Sequence, residues 1–402
     1  MPPTWHPMHL MHRWKWSDMA TVGIAGAGLL GRLIAWHLGH SDYEVHVFDA
    51  ASGPHPAYDG RGAAAFSSAG MLSPLAELDR ADPVVVTLGW RSIQLWEKIT
   101  ALLPVDNELS GVFAKGCFVR RASLLLAHRG DTSATHRLLS RSLLVSSDWP
   151  APEVLDAKTL SALEPVLQWT GHAWRLDGEA QIQPAVTMRL LYADAHPTVC
   201  WHWNAPIEHV EPGCLRETTG RSRSFDVVFD VRGLGARTIE NSTESNIDVG
   251  QLRGVRGETV WLHASGHGLT RPVRLLHPRH SVYLVPHSAD RLFVGASEIE
   301  TEDRSGVSVR SAMELMGAAY SVMPALAEAR IDRLDRNLRP AFPDNAPRII
   351  VESGLIRING LFRHGWMLAP ALVESALVRA KLPTFSRLDI PPVSPVTEAS
   401  HG

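Results

Sequence analysis

The sequence predicts an α/β plus α+β fold, in which a Rossmann-like dinucleotide-binding domain is interleaved with a domain built on an antiparallel sheet. Three patterns support this prediction. A strand, a glycine loop, a helix and a second strand follow one another over residues 21–50, three strand-like runs lie between residues 255 and 295, and a glycine-containing loop leads into a helix over residues 360–381. Because the first and third patterns flank the second, we expect the dinucleotide-binding domain to be discontinuous.

The order of these patterns divides the chain into segments. We assign the dinucleotide-binding domain to residues 20–105, 181–250 and 340–390. We assign the antiparallel-sheet domain to residues 106–180 and 251–339. We expect residues 1–19 to form a disordered extension outside the fold, and residues 391–402, where Pro and Ser are frequent, to form a frayed tail.

Composition argues against several classes of function. The chain has 402 residues, 45% of them hydrophobic and 20% charged, as in an ordinary globular protein. A net charge of −3 without a basic patch argues against nucleic acid as a partner. No apolar run reaches the roughly 18 residues of a membrane span. His6, His9 and His12 recur at a spacing of three, but no carboxylate or cysteine joins them, so we expect no metal site.

Cysteine usage suggests a compartment. The three cysteines are far apart and form no CxxC pair; they are Cys117, Cys200 and Cys214. Free thiols of this kind are typical of a reducing compartment, so we expect a cytoplasmic protein.

The first unit, over residues 21–50, has the order and distances of a dinucleotide site. Residues 22–25 and 45–48 read as buried parallel strands, and residues 29–38 between them have helical spacing. Gly26 permits the tight turn, Gly28 lets the backbone approach a pyrophosphate, and Gly31 lets the helix pack closely on the strand. The alternative is a glycine-rich packed helix without a ligand.

An acidic residue ends this unit. Asp49 follows Gly31 by 18 residues and can accept hydrogen bonds from both hydroxyls of an adenosine ribose. A free 2′-hydroxyl is therefore expected, which favours FAD or NAD over NADP.

The remaining elements follow from the same periodicities. Helices are predicted over residues 83–103, 127–150, 160–165, from 184 and 311–323, and strands over residues 111–120, 172–176, 225–231, 255–263, 281–286 and 291–295. The small residues at 63–72 would suit a flat partner such as an isoalloxazine ring, and Gly233 marks a second close approach of backbone to a ligand. The alternative for residues 63–72 is a tight loop crossing, and the alternative for Gly233 is a hairpin turn.

Six stretches follow one another as in the D-amino-acid-oxidase-like (DAO) flavoproteins. They are Gly26-x-Gly28-x-x-Gly31, residues 68–72 (Ser-Ala-Gly-Met-Leu), Leu163-Glu164-Pro165, residues 283–286 (Tyr-Leu-Val-Pro) with 294–296, Leu338-Arg339-Pro340, and residues 362–371 (Phe-Arg-His-Gly-Trp-Met-Leu-Ala-Pro-Ala). Within this family the chain most resembles the FAD-dependent glycine oxidases of thiamine biosynthesis, and the resemblance covers about residues 20–385.

The resemblance implies an FAD-binding domain. No cysteine lies beyond Cys214 to form a cysteinyl link, so we expect FAD to be bound non-covalently. Together with the glycines Gly26, Gly28, Gly31 and Gly233, the resemblance predicts these cofactor-binding residues: Leu29, Leu30, Asp49, Ala50, Ala64, Ala65, Ala69, Gly70, Met71, Val210, Leu361, Phe362, Arg363, His364, Gly365, Trp366 and Met367. The chain departs from the family at three places. Ala64 and Ala65 stand where hydroxyl side chains are frequent, Arg232 where a small or apolar residue is usual, and His364 where asparagine is frequent.

The resemblance also implies a substrate site in the antiparallel-sheet domain. Arg339 matches the arginine that holds the substrate carboxylate, Arg363 a second arginine beside the flavin, and Tyr283 a pocket tyrosine, with Met71 beside them. Judged from residue type alone, Arg339 could instead form a structural salt bridge, Arg363 could be a surface charge, and Tyr283 could be a core aromatic residue. Oxidation of an amine by flavin mainly requires positioning, so Arg339 and Tyr283 are expected to orient the substrate, and no acid–base residue is assigned.

The implied reaction is oxidative deamination of glycine or another small amino acid. A hydride passes from Cα to flavin N5, the product is an imine, and O2 is reduced to H2O2; the imine could supply thiamine thiazole synthesis. One alternative is a D-amino-acid or N-methylamino-acid dehydrogenase with another electron acceptor, and a second is a non-catalytic FAD-binding protein. Loops around residues 262–272 are expected over the pocket. The family forms homo-oligomers, and the oligomeric state of this chain stays open.

Overall fold

A computed structural model describes residues 19–78, 81–130, 136, 139–141, 149–237, 251–276 and 281–385. Of the extension predicted over residues 1–19, all but Met19 lies outside the described residues, as do the tail over 391–402 and most of the helix over 127–150.

Twenty strands form four sheets in the described part of the chain. In chain order they are β1 (Thr21–Ala25), β2 (Glu44–Phe48), β3 (Met71–Leu72), β4 (Phe118–Arg120), β5 (Ser123–Ala127), β6 (Glu153–Leu155), β7 (His172–Leu176), β8 (Ala180–Ile182), β9 (Val199–His202), β10 (Ile207–Glu211), β11 (Cys214–Glu217), β12 (Ser222–Ser224), β13 (Val227–Asp230), β14 (Arg253–His263), β15 (Val273–Leu276), β16 (Ser281–Pro286), β17 (Arg291–Gly295), β18 (Arg330–Ala341), β19 (Arg348–Glu352) and β20 (Leu355–Asn359).

Helices cover both large sheets. Within the described residues they are α1 (Leu29–Gly39), α2 (Pro74–Glu77), α3 (Pro83–Leu102), α4 (Ala157–Leu163), α5 (Pro184–Ala193), α6 (Val309–Val322) and α7 (Gly365–Arg379). None of them is long and apolar enough to cross a membrane.

The six-stranded sheet has the order β19-β20-β13-β1-β2-β9. The strands from β20 to β9 are parallel to their neighbours, and β19 pairs antiparallel with β20. In the unit predicted over residues 21–50, β1, α1 and β2 begin and end within a residue or so of the expected bounds. Parallel strands that are buried on both faces typically consist of apolar runs, and such runs can be recognised in the sequence.

The eight-stranded sheet has the order β18-β14-β17-β16-β15-β5-β7-β6. All its pairs are antiparallel except β15 with β5. Two antiparallel three-stranded sheets, β10-β11-β12 and β3-β8-β4, complete the architecture. This combination confirms the predicted α/β plus α+β fold class. The boundaries of the two domains stay a prediction.

One predicted strand is largely wrong. Residues 111–120 form a 3-10 turn at Gly111–Phe113 and become a strand only at Phe118–Arg120. Gly111 and Gly116 have φ angles of +60° and +150°, which interrupt an extended strand.

A buried ion pair joins two helices of the main core. Helix α3 packs along α7, and Ile93, Trp96 and Ile99 on α3 are fully buried, as the helical spacing predicts. On the same helix, Arg91 donates from Nε and Nη2 to the two carboxylate oxygens of Glu374 on α7, at 2.8 and 2.6 Å. Both side chains are buried, so each charge depends on the other.

We expect Glu374→Gln to lower the free energy of unfolding by about 3 kcal/mol, because it leaves the Arg91 guanidinium buried without a counter-charge. Chemical denaturation followed by fluorescence measures the change. Glu97→Gln on α3 is the matched control: its pair with Arg120 is exposed, so its loss should cost less than about 1 kcal/mol. Equal effects of the two substitutions would contradict this account of the core.

Candidate functional site

A long cleft of about 830 Å³ opens at the carboxyl ends of β1 and β2. Gly26 directly follows β1 and Asp49 directly follows β2, so the parallel sheet brings the glycine loop and the acidic residue to one edge. Ligands of open α/β sheets bind at this edge.

The glycine loop has the shape that a phosphate-binding turn requires. Gly26 has a φ of +107°, and a Cβ at Gly31 would lie 1.8 Å from the carbonyl oxygen of Gly26. Helix α1 can therefore start close against β1 only with glycine at position 31. Gly28, Leu29 and Leu30 at the start of this helix line the cleft, and the N-terminus of a helix suits a pyrophosphate.

Asp49 is held in place while keeping room for a ligand. Its Oδ2 accepts a hydrogen bond from the backbone N–H of Ala27 at 2.6 Å, and its Oδ1 accepts one from Ala51 at 2.8 Å. Each carboxylate oxygen can accept a second bond, so the side chain fits the ribose hydroxyls expected from the sequence.

Most of the predicted cofactor residues line this cleft. They are Gly26, Gly28, Leu29, Leu30, Asp49, Ala50, Ala64, Ala65, Gly233, Leu361, Phe362, Arg363, Gly365 and Trp366. Another five line a smaller adjoining pocket: Ala69, Gly70, Met71, His364 and Met367.

Two predicted cofactor residues lie elsewhere. Gly31 lies behind the loop, where it permits the close packing. The assignment of Val210 to the cleft needs correction: Val210 packs with Phe48, Leu215 and other apolar residues beneath the three-stranded sheet, and Ile207, at the start of the same strand, lines the cleft instead.

Arg232, the unusual residue after β13, is held by its own strand. Its guanidinium donates to both carboxylate oxygens of Asp230 at 2.8 and 2.7 Å, and to the carbonyl oxygen of Ile207 at 2.7 Å. Its charge is thus neutralised within the wall of the cleft.

The adjoining pocket has a volume of about 190 Å³ and is rich in charge. Tyr283, Arg339 and Arg363 line both the pocket and the cleft, so the two spaces adjoin at these residues. A small molecule in the pocket would lie directly beside the end of a cofactor that fills the cleft.

Arg339 reaches the pocket from β18 across the neighbouring strand. Its Nη1 donates to the carbonyl oxygen of Ser297 at 3.1 Å and more weakly to that of Arg256 at 3.5 Å. The guanidinium lies directly over Gly257 of β14: a Cβ there would be 2.3 Å from its central carbon. Any larger residue at position 257 would push Arg339 out of its place.

Tyr283 stands on β16 beside Arg339. Burial raises the pKa of its hydroxyl, and the charge of Arg339 offsets this only in part. The phenol is therefore neutral near pH 7 and can donate a hydrogen bond into the pocket.

Glu77 at the end of α2 contacts two arginines and one histidine. It accepts from Arg274 Nη2 at 2.5 Å, from Arg363 Nη2 at 2.6 Å and from His364 Nε2 at 2.9 Å. Burial alone would raise the pKa of the Glu77 carboxyl, but the charges of Arg274 and Arg363 outweigh it and hold that pKa well below its usual range. The carboxylate is ionised at any pH at which the protein would be assayed.

Sequence reasoning missed several residues of this site, among them Glu77, Gly257, Arg274 and Glu298. Arg274 is recognisable from the sequence as a candidate site residue, because it is a charged residue within the otherwise apolar strand Val273–Leu276. The prediction that residues 262–272 cover the pocket is wrong: Leu269 is buried in the core of the eight-stranded sheet, and the N–H of Thr270 donates to Glu164.

Comparisons with known proteins identify the family. The model of the FAD-dependent oxidoreductase family DAO matches residues 21–374. A putative thiamine biosynthesis oxidoreductase from Rhizobium etli is 35% identical over 87% of this chain and 93% of that protein. A glycine oxidase from Geobacillus kaustophilus is 25% identical over 93% of this chain and 96% of its own length. The chain belongs to the DAO family of FAD-dependent oxidoreductases.

Solved structures show the same fold. The crystal structure of glycine oxidase from Geobacillus kaustophilus superimposes with a TM-score of 0.74 at 21% identity, covering 91% of this chain and 96% of that one. Iminodiacetate oxidase from a Chelativorans species gives a TM-score of 0.70 at 21% identity, covering 93% and 100%. The match to the FAD-dependent DAO family identifies FAD as the cofactor of this chain, in agreement with the glycine loop and Asp49.

We expect Gly257→Ala to weaken substrate binding while FAD stays bound, because the three atoms nearest to the new methyl group all belong to the guanidinium of Arg339. Steady-state kinetics should show KM raised at least about 10-fold, and flavin absorbance per protein should be unchanged. Gly317→Ala on α6, where a Cβ would meet nothing within 4 Å, is the control and should leave KM as it was. An unchanged KM in Gly257→Ala would show that Arg339 does not need this glycine.

Proposed function

We propose that this DAO-family enzyme catalyses the oxidative deamination of glycine or another small amino acid. The amine is oxidised to an imine, which water hydrolyses to an oxo acid and ammonia, and O2 is reduced to H2O2. The relatives from Rhizobium etli and Geobacillus kaustophilus, with their names, support this reaction class.

The observation that carries the proposal is the Arg339 guanidinium. It faces the pocket, and within the described residues its polar partners are two backbone carbonyl groups and no carboxylate. A guanidinium is a planar fork that matches a carboxylate with two parallel hydrogen bonds. The carboxylate of an amino acid would supply the missing counter-charge.

The size of the pocket restricts the amino acid. A volume of about 190 Å³, with Met71 and Met367 among the walls, favours glycine or a substrate with a short side chain or a small N-substituent. The lining residues Ser68, Tyr283 and Glu298 offer polar partners for the amine.

Positioning is the main contribution of the protein to the reaction. When bound, FAD supplies the acceptor for the hydride that leaves Cα. Arg339 fixes the carboxylate, and Tyr283 lies where the pocket meets the cleft, so together they set which Cα–H bond faces the cofactor. Helix α7 begins at Gly365 in the wall of the cleft, and its N-terminal dipole favours negative charge there.

We also propose a setting for the reaction. The name of the Rhizobium etli relative supports a role in thiamine biosynthesis, in which the imine would supply thiazole synthesis. Cys117, Cys200 and Cys214 are all free, which suits the reducing cytoplasm.

Anaerobic mixing of the yellow holoenzyme with glycine, sarcosine or D-alanine tests the proposal. Glycine is expected to bleach the oxidised flavin band. In Arg339→Ala the half-saturating glycine concentration should rise about 100-fold, because a bidentate ion pair contributes about 3 kcal/mol. Arg310→Ala, which removes an exposed arginine from α6, is the matched control and should bleach like the wild type.

Two results would contradict the proposal. If no small amine bleaches the flavin, the substrate assignment fails and a non-catalytic FAD-binding role is favoured. If glycine bleaches it but the reduced enzyme reoxidises in air only with an added electron acceptor, the enzyme is a dehydrogenase and not an oxidase.

A further inference from the structure

The pocket holds more positive charge than one substrate carboxylate needs. Three of its lining residues are arginines, Arg274, Arg339 and Arg363, and only Glu77 and Glu298 among the lining residues carry negative charge. The number of these arginines that lack a carboxylate partner determines how many carboxylate groups of a substrate the pocket can bind.

Glu77 forms ion pairs with two of the three arginines. Arg274 donates through Nη2 to Glu77 Oε1 and through Nη1 to the carbonyl oxygen of Ala76, so α2 holds the outer end of its guanidinium. Arg363 donates through Nη2 to Glu77 Oε2 at 2.6 Å and through Nη1 to Glu298 at 3.2 Å. Both guanidinium groups are therefore engaged by carboxylates of the protein itself.

Arg339 differs from the other two. Within the part of the chain that the structure describes, no carboxylate lies within 4.0 Å of its guanidinium, which bonds only to the carbonyl oxygens of Ser297 and Arg256. An incoming anion meets one available guanidinium, although three line the space.

We propose that Glu77 is a specificity-determining residue that restricts the pocket to substrates with a single carboxylate. This inference rests on the proposed function, in which Arg339 anchors the carboxylate of the substrate. With Glu77 in place, the second carboxylate of an amino dicarboxylic acid would find Arg274 and Arg363 already neutralised.

The physical reason is the cost of separating buried charges. A second substrate carboxylate that replaced Glu77 on Arg274 and Arg363 would leave the Glu77 carboxylate buried without these two partners. Glu298, at the more exposed side of the pocket, would repel it as well. Removing the charge of Glu77 with little change of shape would free Arg274 for a second carboxylate and leave Arg363 paired only with Glu298.

Binding of acetate and malonate to the oxidised holoenzyme tests this inference without turnover. Each dissociation constant is measured from the perturbation of flavin absorbance, at constant pH and ionic strength. The wild type is expected to bind acetate at least as tightly as malonate. In Glu77→Gln, affinity for malonate relative to acetate should rise at least about tenfold. In Glu77→Gln combined with Arg274→Gln, most of that gain should be lost.

Three results would overturn the inference. One is tighter binding of malonate than of acetate by the wild type, a measurement that remains decisive if Glu77→Gln fails to fold or to retain FAD. The second is an unchanged malonate-to-acetate ratio in folded Glu77→Gln. The third is an equal gain in Glu298→Gln, which leaves the pairs of Glu77 intact and would attribute the effect to net charge alone.

The same titrations separate this inference from the proposed function. If acetate binds equally well to wild type and to Arg339→Ala, the carboxylate anchor is wrong and the proposed function fails. If acetate binding depends on Arg339 but Glu77→Gln does not alter selectivity, only the role of Glu77 fails.

Discussion

The ion cluster around Glu77 ties the two halves of the site together. Glu77 ends the short helix α2, whose first N–H groups, from Leu75 and Ala76, donate to the buried carboxyl of Glu179 at 3.0 and 3.4 Å. From this support Glu77 binds Arg274 on the eight-stranded sheet and Arg363 just before α7. Because loss of one member leaves buried charge unpaired, the cofactor cleft and the pocket depend on the same few contacts.

This arrangement separates structural arginines from the arginine left for a ligand. Arg363 lines both cleft and pocket, yet two carboxylates engage it, so it shapes the junction between them. Arg339 lies across Gly257, and its hydrogen-bond partners among the described residues are carbonyl oxygens. A guanidinium that forms no ion pair with a carboxylate of the described residues, next to the cofactor cleft, favours an anionic group in the pocket.

The sequence alone predicted features that depend on local pattern. The β1–α1–β2 unit, its glycine loop and Asp49 follow from periodicity and spacing, because those contacts join residues near in sequence. Arg339 and Tyr283 came from family resemblance, since a strand pattern does not show which way a side chain faces. Glu77 escaped prediction because its partner Arg274 is 197 residues away. Likewise, nothing near Gly257 shows that a side chain from β18 crosses it.

A crystal structure of the oxidised holoenzyme with acetate bound would test the central claim most directly, since it shows which guanidinium takes the carboxylate. The account predicts acetate paired with Arg339 through two hydrogen bonds, with Glu77 still bound to Arg274 and Arg363. Acetate bound to Arg363 or Arg274 in place of Glu77, with Arg339 keeping only its carbonyl partners, would contradict it.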